Sequence, residues 1–454
     1  MSVPLRVISP AKNPDALGDW RTFRSRGARC SWSVDGSMVL AHRASTLEHE
    51  PDEIEPCEVG VLDVESGVFT CFGMTTAWSH ADGARLQWVG ADRAVFNTRD
   101  DDDRLRARIV TLGRGGRLLR AEEIGHAIHT VSPDGGSALT IPFERLGDFR
   151  HALAIPALVD PHVANPAPRH CGVHVVDLAR GTSELLLSLA EIAEFRRSEL
   201  GEGRTHVVDD LSYAPGGRRV AVLHSFERAD GIVHTRLLTT DATGAGGLRL
   251  VCEGRITRHA WMDDATLLVQ TGAGAIEIVR DGVGGPEETA ALSLTPLHPD
   301  GSFDAAVYGD GDRLVAMQCR RVADESSCLG VWMWRGGAAR EMVVDLGRLS
   351  AHAPEPGAID PGAIDERDTK PALDPFGTRV CVDARVEGRD VIGVAEIAGH
   401  TGRARPERAA RTEHAARGAE VESRETDLGL LEEARAAVWG VVMGWGVRRV
   451  GGNA

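Results

Sequence analysis

The sequence predicts an all-β protein, a seven-bladed β-propeller followed by a charged tether and an amphipathic helix. Three observations predict it: a strand–turn–strand pattern recurs seven times, further strand pairs follow most repeats, and the pattern stops after residue 397. Four short antiparallel strands joined by tight turns are typical of one propeller blade, and irregular loop insertions are tolerated. We therefore expect blade-forming repeats over about residues 28–397 within a propeller of residues 1–398.

The clearest repeat covers residues 126–189 and includes the turn Pro133–Asp134–Gly135. Proline presets φ, aspartate bonds the neighbouring backbone, and glycine accepts a positive φ, so this tripeptide favours a tight turn. The six corresponding turns lie at residues 32–37, 88–93, 213–218, 261–266, 307–312 and 373–378.

The N-terminal apolar stretch, residues 5–8, is predicted to return and complete the last blade, because closing the ring removes open sheet edges. A short helix is predicted over residues 188–195, before the fourth blade. Two loop insertions, residues 143–170 and 350–369, interrupt the repeats, and loops of this length are either functional or mobile.

The character of the chain changes after the last repeat. Residues 399–425 are charged and poor in large apolar residues, so they read as a solvated linker. Residues 426–450 carry an apolar face at helical spacing but are interrupted by glycine. We expect this helix to dock on its own propeller or on another copy or partner protein, with peripheral membrane contact as the alternative.

Charge and composition exclude several classes of protein. A net charge of −16 argues against a nucleic-acid binder, although local arginine clusters are compatible with an anionic glycan. No apolar run is long enough for a transmembrane segment, and the start of the chain lacks a signal-peptide pattern, which predicts a cytoplasmic protein. The eight cysteines form no C-x-x-C pair, so they predict neither a zinc site nor a disulfide framework.

No compact catalytic motif is present, so a site has to be assembled from several blades at one mouth of the central channel. Asn97 and Arg99, which end an inner strand, are expected beside that mouth. Residues just before inner strands, and those in the insertions, are expected to ring it: His126, His129, Arg145, Arg150, His151, His206, Asp209, Asp210, Arg258, His259, Asp304 and Lys370.

The order of several segments resembles the oligogalacturonate lyase-like propellers, a bacterial group related to the Tol-system propeller. The segments that carry the resemblance lie within residues 80–397, at residues 96–100, 132–135, 143–150, 172–178 and 185–190. The resemblance implies a divalent metal held by channel-mouth histidines, an arginine that meets a uronate carboxylate, and a histidine that removes the α proton. Such abstraction needs both a base and charge neutralisation.

The departures from that pattern concern the metal ligands. Asp304 and Lys370 stand where the resembled family tends to carry His-Pro, and before the fourth inner strand only His206 is retained. Arg258–His259 keeps a histidine before the fifth. An imidazole-rich metal site is therefore predicted to be absent, and no cofactor is expected.

We accordingly expect a propeller that binds an acidic saccharide, glycoconjugate or small anionic ligand. If it is an enzyme, the expected class is a carbon–oxygen lyase on polysaccharide or oligouronide, with His206 or His259 as base. The predicted substrate-binding residues are Asn97, Arg99, Arg145, Arg150, Arg258 and Lys370. Alternatively, His206 and His259 are hydrogen-bonded residues at strand ends without a catalytic role. Arg145 and Arg150 would then pair with Asp148 and Glu144 and hold the loop. The alternative function is a pseudoenzyme that serves as a protein-interaction scaffold.

Overall fold

The computed structural model shows an all-β fold of seven four-stranded antiparallel sheets, which confirms the predicted propeller. It describes residues 6–9, 20–25, 31–45, 51–52, 55–148, 153–196, 203–228, 230–271, 276–282, 292–294, 305–310, 312–320, 327–335, 338–345, 370–386 and 389–397. The chain divides into two units, Met1–Ala404 and Arg405–Ala454. The predicted linker and C-terminal helix, residues 399–454, and the insertion 350–369 lie outside the described residues.

Each blade is formed by four strands that are nearly consecutive in sequence. The N-terminal strand, β1 (Arg6–Val7), belongs to the last blade. Blade 1 contains β2 (Arg21–Phe23), β3 (Met38–Ala44), β4 (Cys57–Asp63) and β5 (Phe69–Thr75). Blade 2 contains β6 (Gln87–Val89), β7 (Arg93–Arg99), β8 (Leu105–Leu112) and β9 (Leu118–Ile124). Blade 3 contains β10 (Thr130–Val131), β11 (Ser137–Thr140), β12 (Gly172–Asp177) and β13 (Ser183–Ser188).

The remaining blades follow the same order. Blade 4 contains β14 (Gly203–Tyr213), β15 (Arg219–Arg228), β16 (Val233–Asp241) and β17 (Arg249–Gly254). Blade 5 contains β18 (Ile256–Asp263), β19 (Thr266–Thr271), β20 (Ile276–Arg280) and β21 (Leu292–Leu294). Blade 6 contains β22 (Ala305–Asp310), β23 (Asp312–Arg320), β24 (Ser327–Arg335) and β25 (Ala338–Asp345), and blade 7 starts with β26 (Ala372–Leu373), β27 (Arg379–Val386) and β28 (Arg389–Glu396).

The first strand of each blade is its inner strand. From blade 2 onward, successive first strands contact one another, β6 with β10, β10 with β14, β14 with β18, β18 with β22, and β22 with β26. This row of strands therefore faces the propeller axis, and side chains on neighbouring inner strands can meet there.

The predicted turn chemistry is present in blade 3. Ser132 Oγ donates to Asp134 Oδ1 at 2.6 Å, and the same oxygen accepts from the backbone N of Gly136 at 3.0 Å. Gly135 takes a φ of 69°, the left-handed conformation that a β-carbon would strain. Asp35 and Gly36 repeat this arrangement in blade 1.

The predicted short helix is α1 (Leu189–Glu194), which begins after a capping box. Ser188 accepts from the backbone N of Glu191, and the Glu191 carboxylate accepts from the Ser188 backbone, so two helix-end donors are satisfied. Two 3-10 helices, Arg114–Gly116 and Phe143–Asp148, are also present. None of the helices in these ranges is long and apolar enough to cross a membrane.

The last blade is completed by the N-terminal strand, as predicted. β1 pairs antiparallel with β28, with Arg6 opposite Val394 and Val7 opposite Gly393. The backbone N of Ile8 continues the ladder to the Ile392 carbonyl at 2.9 Å. The two ends of the propeller sequence are thus joined by main-chain hydrogen bonds.

A buried ion pair reinforces this closure from the side of blade 1. Arg24 is 1% exposed, and its Nε lies 2.7 Å from Asp383 Oδ1 in β27. Its Nη1 also donates to Cys381 Sγ at 3.0 Å and to Ser31 Oγ at 3.2 Å. Since a buried guanidinium is stable only with its hydrogen-bond partners in place, Arg24 links blades 1 and 7 at a defined distance.

Substitution Arg24→Met is expected to lower the free energy of unfolding by about 3 kcal/mol, the lower end for a broken buried pair, because Asp383 then keeps only the more distant ammonium group of Lys370. Urea denaturation followed by circular dichroism measures the change. The control is Arg120→Met, which removes an exposed pair with Glu122 and should change stability by less than about 1 kcal/mol. Equal losses in the two variants would contradict a closing role for Arg24.

Candidate functional site

Four polar side chains meet where the inner strands of blades 3, 4 and 5 adjoin. His129 directly precedes β10, Asp210 and Ser212 lie in β14, and His259 lies in β18. Both imidazoles are buried, with side-chain exposures of 1% and 0%, whereas the Asp210 side chain keeps 35%. A partly accessible carboxylate between two buried imidazoles is the centre of the candidate site, which we call the axial cluster.

The two oxygens of Asp210 face different imidazoles. Oδ1 lies 3.4 Å from His129 Nε2, and Oδ2 lies 3.9 Å from His259 Nδ1. Burial alone would raise the pKa of Asp210, but the two imidazoles and the guanidinium groups of Arg85 and Arg258 outweigh it and lower that pKa. Asp210 is therefore ionised at neutral pH.

His129 has the opposite balance. Burial and then the charge of Arg85 hold the pKa of His129 well below its usual value, and these effects outweigh the attraction of Asp210. The ring is therefore neutral at neutral pH. Because an unfolded chain binds this proton near the ordinary histidine pKa, His129 lowers stability as the pH falls below about 6.5.

His259 also contacts a hydroxyl group. Its Nε2 lies 2.9 Å from Ser212 Oγ, on the side of the ring opposite Asp210. A carboxylate near Nδ1 favours the tautomer with the proton on Nδ1, so Nε2 is the acceptor and Ser212 the donor. The serine hydroxyl is consequently hydrogen-bonded to a basic nitrogen.

Two β-bulges set the directions of these side chains. The β14–β15 register passes from Val208 opposite His224 to Asp210 opposite Leu223, which leaves Asp209 as the extra residue. The β18–β19 register shifts in the same way between Ile256 and Arg258. Bulges re-aim side chains and are frequent near functional sites. The bulge separates the neighbouring aspartates: Asp209 is 2% exposed and accepts from Ser225 Oγ, while Asp210 faces the imidazoles.

Of the predicted catalytic histidines, His259 belongs to the axial cluster, whereas His206 belongs to a separate polar stack in blade 4. His206 Nδ1 lies 3.0 Å from His224 Nε2, with ring centroids 5.1 Å apart. Burial lowers the pKa of Arg236 to about 10, so Arg236 stays charged and donates to His224 Nδ1. His224 Nε2 then carries the ring proton and donates a hydrogen bond to His206 Nδ1.

Two of the predicted substrate-binding residues make contacts within the propeller. Both amide atoms of Asn97 bond the backbone of Ile128, at 2.8 and 3.0 Å, which ties blade 2 to blade 3. Arg99 Nη1 lies 3.0 Å from Asp103 Oδ1, and its Nη2 donates to the Pro156 carbonyl. Arg99 therefore fastens a hairpin turn to the insertion.

Arg145 holds the insertion from inside. It is 1% exposed and lies 3.1 Å from Asp160 Oδ2, and it also donates to the carbonyls of Pro166, Asn165 and His162. The ion pair of Arg145 is thus with Asp160, an aspartate that the sequence analysis did not single out. Arg150, His151 and Asp304 lie outside the described residues.

Lys370 lies at the closure of the ring. Its Nζ donates to the Arg24 carbonyl at 2.7 Å and lies 3.7 Å from Asp383 Oδ2. A buried ammonium group repels a cation, so the position where the resembled family tends to carry His-Pro does not fit a divalent metal here. Across the part of the chain that the structure describes, no group of three histidine, cysteine or acidic side chains is arranged to hold a metal ion.

Arg258 directly precedes His259 in β18, and its charge lowers the pKa of Asp210. The sequence analysis placed His129 and Asp210 in the expected ring but missed Ser212. The spacing Asp210-x-Ser212 on an inner strand puts both residues on one face, and this alternation was the available indication.

Several solved structures are similar to this chain. An oligogalacturonate lyase in complex with manganese is 15% identical over 88% of this chain and 97% of that one, with a TM-score of 0.47. An oligogalacturonate lyase from Vibrio parahaemolyticus is 12% identical over 87% and 94%, with a TM-score of 0.46. A putative TolB from Agrobacterium tumefaciens is 13% identical over 72% and 86%, with a TM-score of 0.31.

No protein-family model and no curated protein matches the chain. The chain is a seven-bladed β-propeller, and the resemblance seen in its sequence is found again among solved structures. At identities of 12–15% this similarity assigns no substrate and no catalytic residue to the axial cluster.

Substitution Arg85→Gln is expected to raise the pKa of His129 towards its ordinary value, because it removes the charge that, after burial, lowers this pKa most. Nuclear magnetic resonance titration of the imidazole, assigned with His129→Gln, measures the shift. Arg258→Gln is the matched control, since Arg258 acts on Asp210 and should leave the His129 titration unchanged. An identical His129 titration in wild type and Arg85→Gln would refute this electrostatic account.

Proposed function

We propose that this propeller binds an acidic saccharide at the axial cluster and cleaves it by β-elimination beside a uronate carboxylate. The supporting observation is the combination of the imidazole of His259, backed by ionised Asp210, with the cationic side chains of Arg85 and Arg258. Elimination of this kind requires a base for the α proton and positive charge for the enolate that forms.

His259 is the base in this proposal. Asp210 retains the proton on Nδ1 and stabilises the imidazolium that forms when Nε2 takes the α proton. The substrate C–H group would take the place of the Ser212 hydroxyl, which lies 2.9 Å from Nε2. We favour His259 over His206 because Nδ1 of His206 already accepts from His224.

Arg258 is the proposed partner of the substrate carboxylate. A guanidinium group binds a carboxylate through two parallel hydrogen bonds, and this neutralisation makes the α proton more acidic. Arg145 and Lys370 support the fold in this proposal, since their charged groups bond protein carbonyls and carboxylates. The cytoplasmic location expected from the sequence stays a prediction.

Saturated oligouronides incubated with the protein are expected to give ultraviolet absorbance from a new conjugated double bond. His259→Gln should lower this rate by about 10²–10⁴-fold, the usual contribution of general base catalysis. Arg258→Gln should weaken binding of the uronide, measured by calorimetry.

The control for both variants is His174→Gln, a half-buried histidine in β12 of blade 3, which should keep the wild-type rate. The absence of new absorbance from the wild-type protein over a panel of oligouronides would exclude elimination. Uronide binding without new absorbance would support the proposed saccharide site and exclude the proposed lyase activity.

A non-catalytic interaction scaffold is the second candidate function, and the insertion after β11 favours it. Val159 and Val163 are 81% and 73% exposed, yet Asp160 between them is held by buried Arg145. Large apolar side chains presented on a fixed loop are typical of a protein-binding surface. Self-association through residues 399–454 is the other contact predicted from the sequence.

In the scaffold proposal the full-length chain self-associates, and the double substitution Val159→Ser/Val163→Ser weakens this association at least about tenfold, through lost apolar burial. Light scattering over a concentration series measures it. Val34→Ser, at a 57% exposed turn in blade 1, is the control. A chain ending at residue 398 tests the contact through residues 399–454 separately. A monomeric full-length protein would contradict self-association through the valine surface and through residues 399–454.

A further inference from the structure

The axial cluster contains a serine, a histidine and an aspartate, and the imidazole of the histidine lies between the hydroxyl and the carboxylate. Ser212 Oγ lies 2.9 Å from His259 Nε2, and His259 Nδ1 lies 3.9 Å from Asp210 Oδ2. The first distance is a hydrogen bond, and the second is longer than one, so Asp210 acts on the ring through its charge. Ser212 is half-buried, and its hydroxyl is hydrogen-bonded to the imidazole.

The strands bring these residues together for a simple reason. Asp210 and Ser212 are two residues apart in β14, so both point to the face opposite the buried side chains of Leu211 and Tyr213. β18 contacts β14 along this face, and Trp261 Nε1 donates to the Ser212 carbonyl at 3.2 Å. The Trp261 bond holds the backbone of Ser212 against the strand that carries His259.

A structural role for Ser212 alone does not account for the arrangement. A hydrogen bond to serine would satisfy one nitrogen of a buried histidine, but here the other nitrogen faces a carboxylate that is 35% exposed. That carboxylate is also shared with a second buried imidazole, His129, at 3.4 Å. Gathering a charge and two desolvated imidazoles at one point costs stability, and such clusters are characteristic of reactive sites.

We propose that Ser212, His259 and Asp210 form a nucleophilic triad that hydrolyses a carboxylic ester. Ser212 is the nucleophile, His259 the base and then the acid, and Asp210 the group that orients His259 and stabilises its charged form. His129 is a positioning residue, since it acts through Asp210.

The reaction has two halves. Ser212 Oγ forms a bond to the ester carbonyl carbon while His259 Nε2 takes the hydroxyl proton, and the resulting oxyanion is stabilised by the cationic surroundings. The carbon–oxygen bond to the alcohol then breaks, and His259 returns its proton to the departing alcohol. Water then attacks the acyl carbon while His259 Nε2 takes one of its protons. The bond from the acyl carbon to Ser212 Oγ breaks, His259 returns that proton to Oγ, and the acid is released.

This activity goes beyond the proposed elimination and needs a different atom. Elimination uses Nε2 of His259 directly and has no need of the Ser212 hydroxyl, whereas ester hydrolysis requires that hydroxyl. The two proposals therefore predict opposite results for Ser212→Ala, which should retain elimination and lose hydrolysis. His259→Gln should lose both.

A fluorophosphonate probe tests the nucleophile directly, because it reacts covalently with activated serines. Mass spectrometry of the digested full-length protein is expected to place the adduct on Ser212. The rate of p-nitrophenyl ester hydrolysis should fall by roughly 10³-fold or more in Ser212→Ala and in His259→Gln. Asp210→Asn should lower the rate and displace the acidic limb of its pH profile, an effect that a purely structural change would not produce.

Ser183→Ala, in β13 of blade 3, is the matched control and should keep both the label and the wild-type rate. Thermal unfolding of each variant shows whether it is folded. A label on another serine, no label on the folded wild type, or full labelling of folded Ser212→Ala would overturn the triad. Labelling of Ser212 without any uronide product would support the triad and reject elimination, and the reverse result would do the opposite.

Discussion

Closure of the ring is the constraint on which the rest of this molecule depends. β1 is only two residues long, yet its pairing with β28 turns seven separate sheets into a cycle, and the Arg24–Asp383 ion pair joins the first blade to the last. An inner strand in a closed ring has a neighbour on each side, so polar side chains from different blades are brought to one axis. The axial cluster is formed in this way from residues 129, 210, 212 and 259, which belong to three blades.

Most of the fold could be predicted because its determinants are local. The Ser132–Asp134–Gly135 turn is specified by a few neighbouring side chains, and the Ser188–Glu191 capping box fixes the start of α1 within four residues. Repetition of such local features indicated seven sheets. The return of the N-terminal strand is not local, but it follows from the physical need to pair a free sheet edge.

The site could be predicted only in part, because a partner distant in sequence decides what a charged side chain does. Arg258 and His259 adjoin the axial cluster because they lie in an inner strand. Lys370, by contrast, bonds a carbonyl 346 residues away, and the sequence offers no means of finding that contact. The β14 bulge is equally hidden: it inserts one residue at Asp209 and so directs adjacent aspartates into different environments, one bonded to Ser225 and the other facing two imidazoles.

The chemistry of the axial cluster depends on which group contacts Nε2 of His259. Asp210 is ionised and lies beside Nδ1, so the proton of the neutral ring resides there and Nε2 is basic. If Nε2 keeps the Ser212 hydroxyl, the site holds an activated nucleophile. If a substrate C–H group displaces that hydroxyl, the same nitrogen becomes the base of an elimination. One carboxylate and one imidazole therefore support two reactions, and a single oxygen atom, Ser212 Oγ, distinguishes them.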